Sequence, residues 1–266
     1  MKLELSALLA AEWQGKDPFV EVNRLEGEDF RRVKTRRTFR FELDGRGFFA
    51  KVHHGVGYRE IFKNLSQFKR PVISAATERE AIRVLTENHI PTMTVSGFGE
   101  KGWNPARLES FLITEELVDM TSLEDVGKLW AAEPPNWRLR RKLLVALAET
   151  AGAMHRAGVN HRDCYLCHFL WDRNVENPRL FVIDLHRAQC RKAVPHRYLV
   201  KDVAGLYFSS MDLNLSRREV LRFIRHYANR PLREELRSRA NFYAQVERSA
   251  RKLYFKEFGR VAPKLR

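Results

Sequence analysis

The stretch His161-Arg162-Asp163-Cys164-Tyr165-Leu166-Cys167-His168-Phe169, with Ile183-Asp184-Leu185 after it, decides how this chain folds. Between the two runs a short loop-like segment through Phe169-Leu170-Trp171, a turn from Asn174 to Pro178, and the apolar strand Leu180 to Ile183. Asp163 therefore sits in a loop and Asp184 emerges at a strand end. Phosphoryl transfer demands such a pair, because one carboxylate must face the attacking hydroxyl while another, a few ångströms away, holds the metal ion. The pattern is that of the two-carboxylate centre of a kinase, with Asp163 as catalytic base and Asp184 as magnesium ligand.

Working outward, Val33 to Leu43 and Gly47 to Val52 flank the turn signal Asp44-Gly45 and predict a β-hairpin with Lys51 on its second strand. Thr77 to Glu87 has helical spacing, with Ala81, Ile82 and Leu85 on one face and Pro91 beyond it. Strands are expected at Thr92 to Phe98 and Glu109 to Thr114, joined by a turn from Gly99 to Pro105. After Glu115-Glu116-Leu117 the pattern becomes helical: Trp137 to Ala157 ending at Gly158, then Asp202 to Met211, Arg217 to His226 and Asn241 to Phe258. The expected class is α+β, a bilobal protein-kinase-like fold with a β-rich N-lobe over 1–117 that binds nucleotide. A mainly helical C-lobe over 118–266 would carry the catalytic loop, metal site and acceptor site.

Within that frame Lys51, in Phe48-Phe49-Ala50-Lys51-Val52, has the setting of the strand lysine that holds the α- and β-phosphates of ATP. Such a lysine needs a helix carboxylate, for which Glu78 is the first candidate and Glu80 the second. His168 stands where kinases place an Asn that binds magnesium, so its imidazole either joins the metal or bonds phosphate or Asp184. Asp202 reads equally as a helix N-cap and as a buried anchor for the catalytic loop. No glycine lies between Gly27 and Gly45, where a phosphate loop would fall; Lys34-Thr35-Arg36-Arg37-Thr38 stands there instead. His161, Cys164, Cys167, His168, His186 and Cys190 allow a zinc reading, but their spacing is irregular and zinc would leave Asp163 and Asp184 unexplained.

A net charge of +15 over 266 residues predicts an anionic partner. From Arg217 to Arg266 there are 15 Lys or Arg against 5 Asp or Glu, and a second basic cluster comprises Arg31, Arg32, Lys34, Arg36, Arg37 and Arg40. On α-helical spacing, Leu221 and Ile224 would face inward, leaving Arg217, Arg218, Arg222 and Arg225 to spread over one side; Arg248, Arg251, Lys252 and Lys256 repeat the pattern. No apolar run reaches membrane-spanning length and Met1 to Ala11 lacks the form of a signal peptide, so a cytoplasmic protein with reduced cysteines is expected.

Five stretches together resemble the bacterial lipopolysaccharide core heptose(I) kinase family over nearly the whole chain. They are Arg36-Arg37-Thr38, Phe49-Ala50-Lys51-Val52-His53-His54-Gly55-Val56-Gly57, the 161–169 loop, Asp184-Leu185-His186-Arg187, and Lys201-Asp202-Val203-Ala204-Gly205-Leu206-Tyr207-Phe208-Ser209. The resemblance implies that ATP and magnesium serve to phosphorylate the first heptose of the lipopolysaccharide inner core at its 4-hydroxyl, at the cytoplasmic face of the inner membrane. It further implies that adenine binds against Glu115, Glu116 and Leu117, that His168 belongs to the family's loop, and that acyl carrier protein is a partner alongside anionic membrane. The rivals are a kinase of the same fold acting on protein, with Tyr one candidate acceptor, and a basic module for nucleic acid or membrane that would leave both Asp residues idle; a nucleic-acid partner is not expected.

Overall fold

The computed structural model describes residues 1–33, 35–66, 73–132, 136–175 and 177–266, so Lys34 of the basic cluster lies outside the described residues. Two compact units make up the chain: 1–83 with 93–118, and 84–92 with 119–266.

The first unit begins with β1 (Lys2–Leu5), α1 (Ala7–Glu12) and α2 (Pro18–Arg24), none of which the sequence pattern announced. Each helix is nonetheless capped by the expected chemistry: Ser6 accepts from the Leu9 amide, and Asp17 accepts from Phe19 with Pro18 in the first turn. β2 (Glu28–Val33), β3 (Arg36–Leu43) and β4 (Arg46–His54) follow, then α3 (Gly57–Ser66), α4 (Ala76–Glu87, whose residues from Val84 on count with the second unit), β5 (Val95–Lys101) and β6 (Glu109–Glu115). They form an antiparallel sheet of order β1-β5-β6-β4-β3-β2. The single expected strand from Val33 to Leu43 is two, because Val33 ends β2 and the chain reverses before Arg36. The β3–β4 turn has φ of 50° at Asp44 and 67° at Gly45, the mirror-type geometry that suits the twist of a tight hairpin.

Two boundaries move. Thr92 lies outside β5 and makes a parallel bridge to Val182 within the second unit, and Gly99 belongs to the strand, not to a turn. A Cβ at Gly99 would sit 2.3 Å from Phe111, so the glycine makes room for a buried ring. One face of the sheet buries Phe39, Phe41, Phe48, Ala50, Val52, Phe111 and Ile113 against Leu9, Trp13, Phe19 and Val22.

The second unit contains β7 (Met120–Ser122), α5 (Leu123–Ala132), α6 (Trp137–Arg156), β8 (Val159–Asn160), β9 (Phe169–Asp172), β10 (Leu180–Val182), β11 (Gln189–Cys190), α7 (His196–Ser210), α8 (Arg217–Ala228) and α9 (Leu232–Phe258). Two small antiparallel sheets, β10-β9-β7 and β11-β8, hold the segment that carries Asp163 and Asp184. α8 starts on a full capping box between Ser216 and Glu219. α9 starts nine residues before the expected Asn241 and bends at Arg239, where φ and ψ are −128° and 25°. On α8 Ile224 is buried as predicted but Leu221 is exposed; the inward side continues through Tyr227 instead. Among the described residues no helix is long and apolar enough to cross a membrane.

Candidate functional site

In the first unit, strand alternation sends Phe48, Ala50 and Val52 into the core, so Lys51 projects from the opposite face of β4. Its ammonium meets Glu78 at 2.6 Å, with side chains 15% and 2% exposed. Glu78 sits in the first turn of α4, and Ala81, Ile82 and Leu85 are all buried, which fixes that face of the helix inward. Glu80, the other candidate, pairs with Arg83 at the surface, and its carboxyl is lowered chiefly by hydrogen bonding to that Arg. A carboxylate as buried as Glu78 is tolerated only because a cation meets it.

Glu115 accepts from Arg46 at 2.8 Å and from Ser96, while its amide donates to Thr94. Glu116 accepts from Arg40 at 2.8 Å, and Leu117 is half-buried. This segment is held by its neighbours' side chains and by the Glu116 amide bond to Gly47.

In the second unit, the loop after β8 is organised by Asp202, a fully buried residue of α7. Its carboxylate accepts from the backbone amides of His161 at 2.6 Å and Arg162 at 2.9 Å, and lies 3.3 Å from His155 Nε2. The N-cap reading of Asp202 is thus corrected, since α7 begins at His196 with Pro195 at the cap position. Asp202 anchors the loop, and that anchoring holds Arg162 at φ 74°. A left-handed arginine costs about 1–2 kcal/mol, which the two amide bonds offset.

His161 is completely buried, and burial pushes its imidazole below the ordinary value, so it is neutral. Its Nε2–H donates to the Ile183 carbonyl at 2.9 Å, leaving Nδ1 buried without a hydrogen-bond partner, as that tautomer requires. The ring stacks on His168 with centroids 5.2 Å apart and planes at 6°.

His168 Nδ1 lies 2.7 Å from the Asp163 carbonyl oxygen, which can only accept, so Nδ1 carries the proton. Its Nε2 then faces Asp184 Oδ2 across 3.6 Å, and His186 Nδ1 lies 2.8 Å from Asp184 Oδ1. Asp184 itself is left-handed at φ 57°. One imidazole therefore bonds the Asp163 backbone through one nitrogen and turns the other toward the Asp184 carboxylate, 3.6 Å away and beyond hydrogen-bond reach.

The Asp163 carboxylate is gripped by Arg187, whose Nη1 lies 2.8 and 2.9 Å from the two oxygens. Sequence reasoning quoted Arg187 as part of a motif and missed this contact; its place three residues after Asp184 was the available signal.

Among the described residues no group of three or more His, Cys, Asp or Glu side chains is placed to hold a metal unaided. Magnesium does not require one, since it binds through one or two carboxylates completed by phosphate oxygens and water. Asp184, with His168 Nε2 3.6 Å from it, fits that donor set. The cysteines fit zinc poorly: burial pushes the Cys164 thiol well up and the Cys167 thiol to about 11, away from the thiolate that binds metal.

The family model described as lipopolysaccharide kinase (Kdo/WaaP) matches residues 20–227. The chain is 51% identical over 258 residues to the lipopolysaccharide core heptose(I) kinase WaaP of Pseudomonas aeruginosa, covering 96% of each. It is 48% identical over 238 residues to the protein of the same name from Escherichia coli K12, covering 88% of this chain and 90% of that one. A solved structure of WaaP in complex with acyl carrier protein superposes with a TM-score of 0.83 at 47% identity, covering 96% of this chain and 100% of the solved one.

Proposed function

The chain belongs to the lipopolysaccharide kinase (Kdo/WaaP) family, and from that premise we propose that it transfers phosphate from ATP to the first heptose of the lipopolysaccharide inner core, at the 4-hydroxyl. The reading rests on one observation above all. The second unit places the Asp163 backbone and the Asp184 carboxylate on the two nitrogens of one imidazole, at 2.7 and 3.6 Å, in a chain whose closely similar relatives carry the heptose kinase name.

Asp163 orients the acceptor hydroxyl and takes its proton as the oxygen attacks, while Arg187 holds the carboxylate in one rotamer. Lys51, steadied by Glu78, holds the α- and β-phosphates, and Glu115 to Leu117 present backbone to adenine. Asp184 would hold magnesium with His168 at its side, and the ion would neutralise charge building on the transferred group. Phosphate transfer from labelled ATP to dephosphorylated inner-core glycolipid, measured beside transfer to protein, tests this. Labelled polypeptide with unlabelled glycolipid would refute the sugar acceptor.

Acyl carrier protein is the partner we infer, since a relative was solved with it. Within the second unit a cavity of about 380 Å³ is lined by Leu143, Leu147, Val203, Leu206, Phe223 and Val246, with the Arg140–Glu219 ion pair also in its wall. Its size and apolar lining suit an acyl chain. Copurification that survives high salt would support an apolar anchor, and loss of the partner in salt would refute it. Exposed Arg218, Arg225, Arg248 and Lys252 supply a basic surface for the same acidic protein or for the cytoplasmic face of the inner membrane.

A further inference from the structure

Three helices of the second unit meet at one buried imidazole. His155, in the last turn of α6, has Nε2 3.3 Å from Asp202 Oδ2 on α7 and Nδ1 2.8 Å from the Tyr227 hydroxyl on α8. The carboxylate can only accept, so Nε2 carries the ring hydrogen and the phenol donates to Nδ1. Asp202 in turn receives the amides of His161 at 2.6 Å and Arg162 at 2.9 Å. Hydrogen bonds therefore run without a break from α8 to the residues just before Asp163, and Tyr227, His155 and Asp202 are all buried.

Tyr227 is held in place through its backbone and through its ring. Gly152, three residues before His155 on α6, lets α8 come close, since a Cβ there would lie 2.4 Å from the Tyr227 carbonyl oxygen. Arg156 donates to that same carbonyl at 2.9 Å. The phenol ring meets the His155 ring edge-on, with centroids 5.6 Å apart and planes at 78°, and stacks on Phe223 at 5.8 Å and 11°. Phe223 lines the apolar cavity, together with Leu143 and Leu147 of α6 and Val203 and Leu206 of α7. A phenylalanine at 227 would fill the same space. What tyrosine adds is a hydroxyl, and that hydroxyl bonds the one imidazole that touches the anchor of the loop.

We propose that Tyr227 is a positioning residue of the transfer reaction: through His155 and Asp202 its hydroxyl fixes the loop that carries Asp163, and through Phe223 its ring ties that setting to the wall of the apolar cavity. The inference rests on the kinase reading above and adds a control point remote from any reacting atom. Hydrogen bonds in series polarise one another, so a loss at the α8 end weakens the grip at the loop end. Without the hydroxyl, His155 Nδ1 is left bare in the interior, and the ring gains by shifting away from Asp202 to find another partner. The residue that feels this most is Arg162, whose backbone at φ 74° is held by the Asp202 carboxylate.

The test uses the whole purified protein and two conservative variants. Tyr227→Phe keeps both ring contacts and removes only the hydroxyl; Phe223→Leu keeps the cavity apolar and removes the stack. With glycolipid as acceptor, Tyr227→Phe should lower kcat about five- to tenfold, the scale of one lost hydrogen bond, with ATP KM and acceptor KM unmoved. Phe223→Leu should lower kcat less, and should add nothing in the Tyr227→Phe background. Asp202→Asn should cost less in that background than alone, because both changes act on one chain of contacts. Hydrogen exchange reads the loop without turnover: the amides of His161 and Arg162 should exchange faster in Tyr227→Phe while the strand 169–172 keeps its protection. Normal kcat in Tyr227→Phe, full additivity with Asp202→Asn, or equal loosening of every helix of the second unit overturns the proposal. If wild type transfers no phosphate to glycolipid while the two loop amides still loosen in Tyr227→Phe, the kinase reading fails and the coupling of α8 to the loop stands.

Discussion

Replacing Asp202 should loosen the catalytic loop without touching a reacting atom. The carboxylate is fully buried and receives two backbone amides at 2.6 and 2.9 Å, with His155 Nε2 at 3.3 Å. Asp202→Ala strands both amides in a dry interior, and breaking a buried charged arrangement of this kind costs about 3–5 kcal/mol. At roughly 2–4 °C per kcal/mol for a domain of this size, the unfolding midpoint should fall by about 6–20 °C. Asp202→Asn keeps one acceptor oxygen but sets an NH2 against an N–H, so about half that loss is expected. Turnover should fall further than stability accounts for, because the Asp202 carboxylate receives the amide of Arg162, left-handed at φ 74°, and Asp163 follows it directly. The assay is calorimetric melting beside turnover measured well below the new midpoint. An alanine variant that melts with wild type, or one that is destabilised yet turns over normally, would refute the claim that Asp202 sets the loop.

Asp163→Ala should cut turnover by about 10²- to 10⁴-fold with nucleotide affinity retained, whereas Asp184→Ala should also lose magnesium-dependent nucleotide binding; both are read by steady-state kinetics with nucleotide titration. Glu78→Gln should raise the ATP KM by about tenfold, since Lys51 loses its charged partner at 2.6 Å; an unchanged KM would remove that pair from nucleotide binding. His168→Asn should keep turnover and shift preference from manganese toward magnesium, oxygen suiting the harder ion; lost activity with unaltered preference would assign the ring to holding the Asp163 backbone. Glutamate at Arg218, Arg225, Arg248 and Lys252 should weaken vesicle binding by about 1 kcal/mol per basic residue removed from an anionic surface while ATP binding persists. Unchanged vesicle binding, copurification and glycolipid turnover would leave those residues as solvated surface.

What could be read in the sequence was whatever has a local period or a fixed spacing. The β3–β4 hairpin, α4 and α6 follow from turn residues and apolar repeats, and the acidic positions of the site follow from a loop and a strand end. β2 was missed because all its residues, Glu28 to Val33, are exposed and largely charged, so neither alternation nor β-propensity marks it. α1 and α2 are too short for periodicity and are held by packing of Leu9, Phe19 and Val22 on the sheet. Asp202 was half legible: an Asp near a helix start suggests a cap, and only the true start at His196 makes it an interior anchor. The Asp163–Arg187 bond was signalled only by the place of Arg187 three residues after Asp184, because it joins residues 24 apart through a path that two small sheets define.

The backbone is unusual at two residues of these motifs: Arg162, beside Asp163, and Asp184 itself both have positive φ. Such conformations persist only where surroundings over-determine them. For Arg162 the surroundings are the carboxylate of Asp202. For Asp184 they are His186 on one carboxylate oxygen, with His168 facing the other, and the backbone bond from Ile183 to the His168 carbonyl just before it. His161 closes the circuit, since its amide goes to Asp202 and its ring to Ile183. His161 and His168 thus both lie between the two left-handed residues, and the buried His161 ring can neither take up charge cheaply nor move without leaving a second nitrogen unpaired. The two carboxylates are thereby set by one shared scaffold and not by two independent loops. That coupling explains why a motif of nine contiguous residues and a strand end 21 residues beyond Asp163 had to be read together before either carried meaning.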